Sequence, residues 1–236
     1  MRGPLRRWSL MADATKTLFE RLRDACPEDW SAYVNHPFVE RLATGELAQA
    51  SFRHYLVQDY LFLVHFARAW ALAVFKAERL DDMRSAAGVL HGLLEHEMSL
   101  HVTYCERWGI SREALESTVE ARANMAYTRY VLERGLAGDA LDLLVALAPC
   151  VCGYAEIGHE RIRHPQTRLE GNPYRDWLEL YAGDEFRRLA ESVEEQMNRL
   201  AMERAGPRRF AGLARTFRDA TRLEIAFWEM GMNQEL

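Results

Sequence analysis

Apolar positions recur every three or four residues along most of this chain, and no stretch alternates in the Val-, Ile- and Thr-rich manner of a strand. Asn-Gly and Asp-Gly hairpin turns are absent as well. The period predicts an all-α protein. Helices are expected over residues 13–25, from His36-Pro37 to Gly45, and from Ser51, read as an N-cap, to about residue 79. Asp81 is expected to cap the next, which stops at Gly109, and another covers 112–133 and ends at Gly135. Asp139 opens a helix reaching His164 with Pro149 inside it, and Asn172-Pro173 starts a short one through Tyr181. Two more are expected over 184–203 and 207–232, parted by Gly206. No linker and no repeat interrupts this series, so residues 11–236 are expected to form a single helical domain. Residues 1–10 read as an N-terminal extension or a misassigned start, because Met11 opens a more conventional beginning.

What breaks the apolar stripes is more informative than the stripes. On the long helix from Ser51 the inner face reads Phe52, Tyr55, Asp59, Phe62, Phe66, Trp70 and Ala73, with a carboxylate in its middle. The last helix repeats this with Leu213, Phe217, Ala220, Glu224, Phe227 or Trp228, and Gly231. A carboxylate so placed must be paired, hydrogen-bonded or facing a cavity, since desolvating it alone is costly. Two on separate helices point to a polar pocket inside a bundle. Between them lies the run from Leu147 to Tyr154, where Pro149 removes a helical N–H and displaces the carbonyl of Val145. The kinked segment puts Cys150 and Tyr154 on one face and turns Cys152 elsewhere. A Cys beside a carboxylate base is a candidate nucleophile. A thiolate beside two charged carboxylates would be repelled, so one carboxyl should be partly protonated or bonded to substrate.

Composition narrows the function classes. With 35 acidic and 30 basic side chains among 236 residues the net charge is −5, which lacks the basic excess of a nucleic-acid binder. The uncharged run 143–155 is shorter than the ~18 apolar residues of a membrane span and reads as a core helix. Four cysteines, 26, 105, 150 and 152, make neither a disulfide framework nor a zinc pattern, so a reduced cytoplasmic setting is expected. A metal reading rests on Glu97-x-x-x-His101 and Glu156-x-x-His159. Di-iron bundles need a Glu-x-x-His motif on each of two helices, and only one is present.

The same residues resemble the TenA family, the thiaminase II group of haem-oxygenase-like helical proteins. The matching strings are His36-Pro37-Phe38-Val39, Gln58-Asp59 through Leu63, Glu97 through His101, and Tyr127 ahead of Tyr130. Pro149-Cys150, Tyr154, Glu156-Ile157-Gly158, Tyr181-x-Gly-Asp-x-Phe186, Glu195 through Arg199, and Glu224-x-x-Phe227-Trp228-x-Met230 follow in order, covering residues 30–232. The resemblance implies an aminopyrimidine aminohydrolase of thiamin salvage, without cofactor or metal and with a small-molecule aminopyrimidine as partner. Homotetramers are implied too. Carried over residue by residue, it implies Cys150 as nucleophile, Glu224 as the acid/base carboxylate, and Asp59 on the ring edge and 4-amino group. Tyr127, Tyr154 and Tyr181 would line the ring pocket. Phe62 departs from the pattern, which often has Tyr there. Two other readings compete: a di-iron oxidase using Glu97, His101, Glu156 and His159, and a non-enzymatic regulatory or partner-binding protein.

Overall fold

The computed structural model describes residues 16–236, so the expected extension over 1–10 lies outside the described residues. Among the described residues every regular element is helical. In chain order these are α1 (Leu18–Asp24), α2 (Pro27–Val34), α3 (Pro37–Thr44), α4 (Gln49–Lys76) and α5 (Leu80–Gly92). A wide π-turn over Leu93–Glu97 joins α5 to α6 (Met98–Arg107), and α7 (Arg112–Glu116), α8 (Arg122–Ala137) and α9 (Ala140–Ala148) follow. A second π-turn, Pro149–Gly153, leads into α10 (Tyr154–Arg163), then α11 (Arg175–Ala182), α12 (Asp184–Arg204) and α13 (Pro207–Asn233).

The all-α expectation holds, and the corrections are local. Ser51 does not cap α4. Ala48 takes that position, and the Ser51 hydroxyl donates instead to the Met232 carbonyl at 2.8 Å, tying α4 to the end of α13. Asp81 sits in the first turn of α5 behind Arg79, where it still favours the positive helix end. The single helix expected over 112–133 is two. Ser117 and Thr118 hydroxyls bond back to the carbonyls of Glu113 and Ala114, both at 2.7 Å, and close α7. The Gln58 amide then holds the connection, donating to the Val119 carbonyl and accepting the Ala121 N–H. α8 continues past Gly135 to Ala137. Asn172 caps a turn instead of a helix: its side chain accepts the Tyr174 N–H at 2.8 Å, and α11 starts at Arg175. The one helix missed altogether is α2, although Pro27 followed by Glu28 and Asp29 is an N-terminal signature.

α4, α8, α9 and α13 pack together as the centre of the bundle, with α2 against α13 and α12 against α9. The continuous stretch Ala140–Arg163 is long and apolar enough to cross a membrane by composition, but 83% of its most apolar window is buried here as core. A cage of rings surrounds it. Trp228 stacks with Phe38 at 5.1 Å and with Tyr33 at 6.2 Å, and meets Tyr55 and Tyr154 at tilted angles.

Candidate active site

Pro149 shapes the centre of the site. Lacking an N–H, it cannot bond Val145, and the chain widens into a π-turn instead of a plain kink. The Pro149 carbonyl accepts the Tyr33 hydroxyl at 3.0 Å, and Gly153 leaves room for that ring: a Cβ there would meet Tyr33 Cε1 at 2.5 Å. Cys150 is thereby held inside, 7% exposed, its thiol donating to the Leu147 carbonyl at 3.1 Å. Burial, then the neighbouring Glu224 carboxylate, hold its pKa well above the ordinary thiol value. Cys152 points the other way, toward the Ala190 carbonyl and the Glu194 and Glu156 carboxylates. The helical spacing of the two cysteines predicts the same separation.

Glu224 comes from the middle of α13 and is 1% exposed. Tyr127 of α8 donates its hydroxyl to Glu224 Oε1 at 2.8 Å. Burial raises the Glu224 pKa to about 8, with the Tyr127 bond opposing and Asp59 adding to the rise. Asp59 of α4 is pushed up to about 7 by burial. Both inward carboxyls therefore hold their protons well above the ordinary carboxylate range.

Asp59 has a neighbour that the sequence weighs as a metal ligand or a structural side chain. His101 Nε2 lies 2.9 Å from the Leu56 carbonyl, and a carbonyl only accepts, so the hydrogen sits on Nε2. In the neutral ring Nδ1 is then a bare lone pair, and it faces Asp59 Oδ2 at 3.6 Å. A lone pair opposite a carboxylate is repulsive, so the pair carries at least one proton. Burial lowers the His101 pKa, which leaves that proton on Asp59.

The walls are aromatic. Phe62 stacks on Tyr127 at 5.4 Å and meets Phe227 edge-on at 5.8 Å. Tyr154 meets Tyr181 at 4.8 Å. Tyr181 comes this close because Gly158 lets α11 touch α10: a Cβ at 158 would lie 2.3 Å from the Tyr181 backbone. Tyr33 and Tyr55 are also fully buried here, and both lie in the field of Glu224. They were missed as site residues, since a core tyrosine carries no distinguishing spacing. From Asp59 and Tyr181 a cavity of about 1020 Å³ runs outward between the Leu93–Glu97 turn with α6 and the start of α12.

The four residues of the di-iron reading are not brought together. Glu97 and His101 line the cavity. Glu156 instead accepts the Trp30 indole N–H at 2.9 Å and Arg23 at 2.6 Å, and exposed His159 lies against Arg163. Among the described residues no three His, Cys, Asp or Glu side chains converge as a metal site.

Fold and site together define an all-helical bundle protein in which a buried thiol and two protonatable carboxyls lie among aromatic rings, one of the carboxyls opening on a cavity. A crystal structure from Shewanella denitrificans with a haem oxygenase-like fold superimposes with a TM-score of 0.71 at 14% identity, over 93% of this chain and 94% of that one. The TENA/THI-4/PQQC family model matches residues 24–234, and the chain belongs to that family. A protein named aminopyrimidine aminohydrolase from Halalkalibacterium halodurans is 36% identical over 88% of this chain and 92% of its own. A Silicibacter crystal structure described as a TenA family transcription regulator is 44% identical, with a TM-score of 0.87, covering 91% of this chain and 96% of that one.

Proposed function

We propose that this protein is an aminopyrimidine hydrolase of thiamin salvage. It converts 4-amino-5-aminomethyl-2-methylpyrimidine and water to the 5-hydroxymethyl compound and ammonia, and splits thiamin at the same methylene. The observation that carries the reading is the Cys150–Glu224–Tyr127 cluster facing Asp59 across an aromatic slot. The similarity to a named aminopyrimidine aminohydrolase supports it.

The chemistry follows from the groups present. A 4-aminopyrimidine edge offers one ring-nitrogen acceptor beside one amino donor. A protonated carboxyl offers the complementary donor and acceptor, so a neutral Asp59 pairs with that edge by two hydrogen bonds. Phe62, Tyr127, Tyr154 and Tyr181 hold the flat ring and exclude water. Glu224 in its ionised form takes the Cys150 proton, and the sulfur adds to the ring carbon next to the substituted one. Glu224 then protonates the ring nitrogen on that side. The methylene–nitrogen bond breaks, its electron pair leaves with the nitrogen, and an exocyclic methylene remains. Water adds there and passes a proton to Glu224, the carbon–sulfur bond breaks, the ring nitrogen's proton returns to the sulfur, and the ring regains aromaticity. Phe62 contributes stacking but no hydrogen bond.

The test is chromatographic. The purified full chain is incubated with the aminomethyl pyrimidine and separately with thiamin, and the hydroxymethyl pyrimidine is quantified against a Cys150→Ala control. Product from the wild type alone is expected. Absence of product from both substrates, or equal product from the control, overturns the reading.

A further inference from the structure

The proposed chemistry leaves the outer part of the cavity without a role. With Asp59 on the ring nitrogen and 4-amino edge, the next ring carbon carries the departing group, so that group emerges beside Asp59 on the open side. From there the cavity passes Glu97 on the Leu93–Glu97 turn and reaches Asp184 and Glu185 at the start of α12. Of the groups proposed to hold the ring only Asp59 and Tyr181 line this cavity, so its volume of about 1020 Å³ lies on the departing group's side of Asp59 and is ample for a second ring.

Glu97 stands in the middle of that path. It is half-buried and has no hydrogen bond or ion pair among the described residues, while Asp59 and Glu185 add negative field to it. Asp59, whose side chain is 9% exposed, likewise faces the cavity with no hydrogen bond of its own. The cation at the mouth, Arg107, sits 3.5 Å from Asp176. Burial, then Asp59 and Glu185, push the Glu97 pKa up to about 7. A half-buried carboxylate with acidic neighbours and no cation of its own attracts one that enters the cavity. The wide turn also brings Glu97 and His101, one helical turn apart, to the same cavity wall.

We infer that Glu97, backed by Glu185, selects a positively charged departing group, a primary ammonium or a thiazolium ring, in the outer half of the cavity. This rests on the pyrimidine hydrolase reading above. Glu97 binds the cation and transfers no proton, since the nitrogen leaves with the electron pair of the broken bond. Substrates bearing a phosphate on the departing ring meet Asp184, Glu185 and Glu97 and are rejected.

The experiment uses the full chain and Glu97→Gln, which keeps shape and removes charge. KM and kcat are measured for thiamin and the aminomethyl pyrimidine, and Kd by calorimetry for the neutral hydroxymethyl pyrimidine. KM for both cations should rise tenfold or more with kcat within threefold, while Kd for the neutral ligand stays within twofold. Glu185→Gln, at an exposed position, should raise KM two- to threefold. Unchanged KM, or equal weakening of neutral and charged ligands, overturns the inference while the hydrolase reading stands. A wild type that neither turns over nor binds any of these pyrimidines overturns the hydrolase reading, and this inference with it.

Discussion

Two wide turns interrupt helices in this bundle, and they differ in how they are held. Every residue of Pro149–Gly153 is buried, and the turn is fixed by a proline, a tyrosine hydroxyl on its carbonyl and a glycine fitted to that tyrosine. In Leu93–Glu97 only Leu93 is buried, while Leu94, Glu95 and His96 face outward. One turn is made by packing and carries the thiol. The other carries a carboxyl to the cavity with few contacts behind it, so the rigid, costly geometry is reserved for the sulfur proposed to react.

The contrast breaks most sharply at the two cysteines of the buried turn. Cys150→Ser should lower kcat by about a thousandfold or more, because an alcohol in that apolar setting is a far weaker nucleophile. Cys152→Ser, two residues on but facing Ala190, should keep activity within about threefold. Circular dichroism and thermal melts should show both variants folded. An essential Cys152 would mean that the turn presents its other face to substrate.

A second comparison sets the inward carboxyls against the unfolded chain. Asp59 and Glu224 rise from ordinary values of 3.8 and 4.5 to about 7 and about 8 on folding. The folded state then binds more protons than the unfolded one, so stability from these groups is present below about pH 4 and is lost as pH rises toward 8. Glu224→Gln removes its share of that loss. The variant should match the wild type near pH 5 and exceed it at pH 8.5 by on the order of 2–4 kcal/mol, read from denaturant midpoints. It should also lose about a hundredfold or more in kcat, a stability–activity exchange expected of a site carboxyl. Equal pH dependence in both proteins would place Glu224 in a more solvated setting than its 1% exposure indicates.

How far the chain could be read from its residues follows the same division. Asp59 and Glu224 were visible because a charge on a 3.6-residue apolar stripe is conspicuous, and Pro149 because proline has a fixed consequence in a helix. The roles of Tyr127, Tyr154 and Tyr181 came through family resemblance, since ring positions in an aromatic core look alike in one dimension. The Leu93–Glu97 turn left no mark, and residues 81–109 read as one helix. Glu97 and His101 stand out by their spacing, but the sequence offers only a weak metal reading or a structural one, because their actual neighbours, Asp59, Glu185 and the Leu56 carbonyl, lie on other segments. The split between α7 and α8 was hidden likewise, depending on the Gln58 side chain from a distant helix.

The smallest effect tests whether the two turns differ in packing as claimed. A methyl group at Gly153 would lie 2.5 Å from Tyr33 Cε1, within a ring already stacked on Trp228 and bonded to Pro149. Gly153→Ala should therefore cost about 1–3 kcal/mol, with activity falling as Cys150 shifts. At Gly92, which leads into the exposed turn with ordinary helical φ and ψ, a Cβ would meet nothing within 4 Å. There the gain in helix propensity operates alone, and Gly92→Ala should stabilise the protein by up to about 1 kcal/mol. Melting temperatures of the two variants should move in opposite directions. A destabilised Gly92→Ala would show that the Leu93–Glu97 turn depends on glycine freedom that its backbone angles do not reveal, and that the outer wall of the cavity is as tightly specified as the inner one.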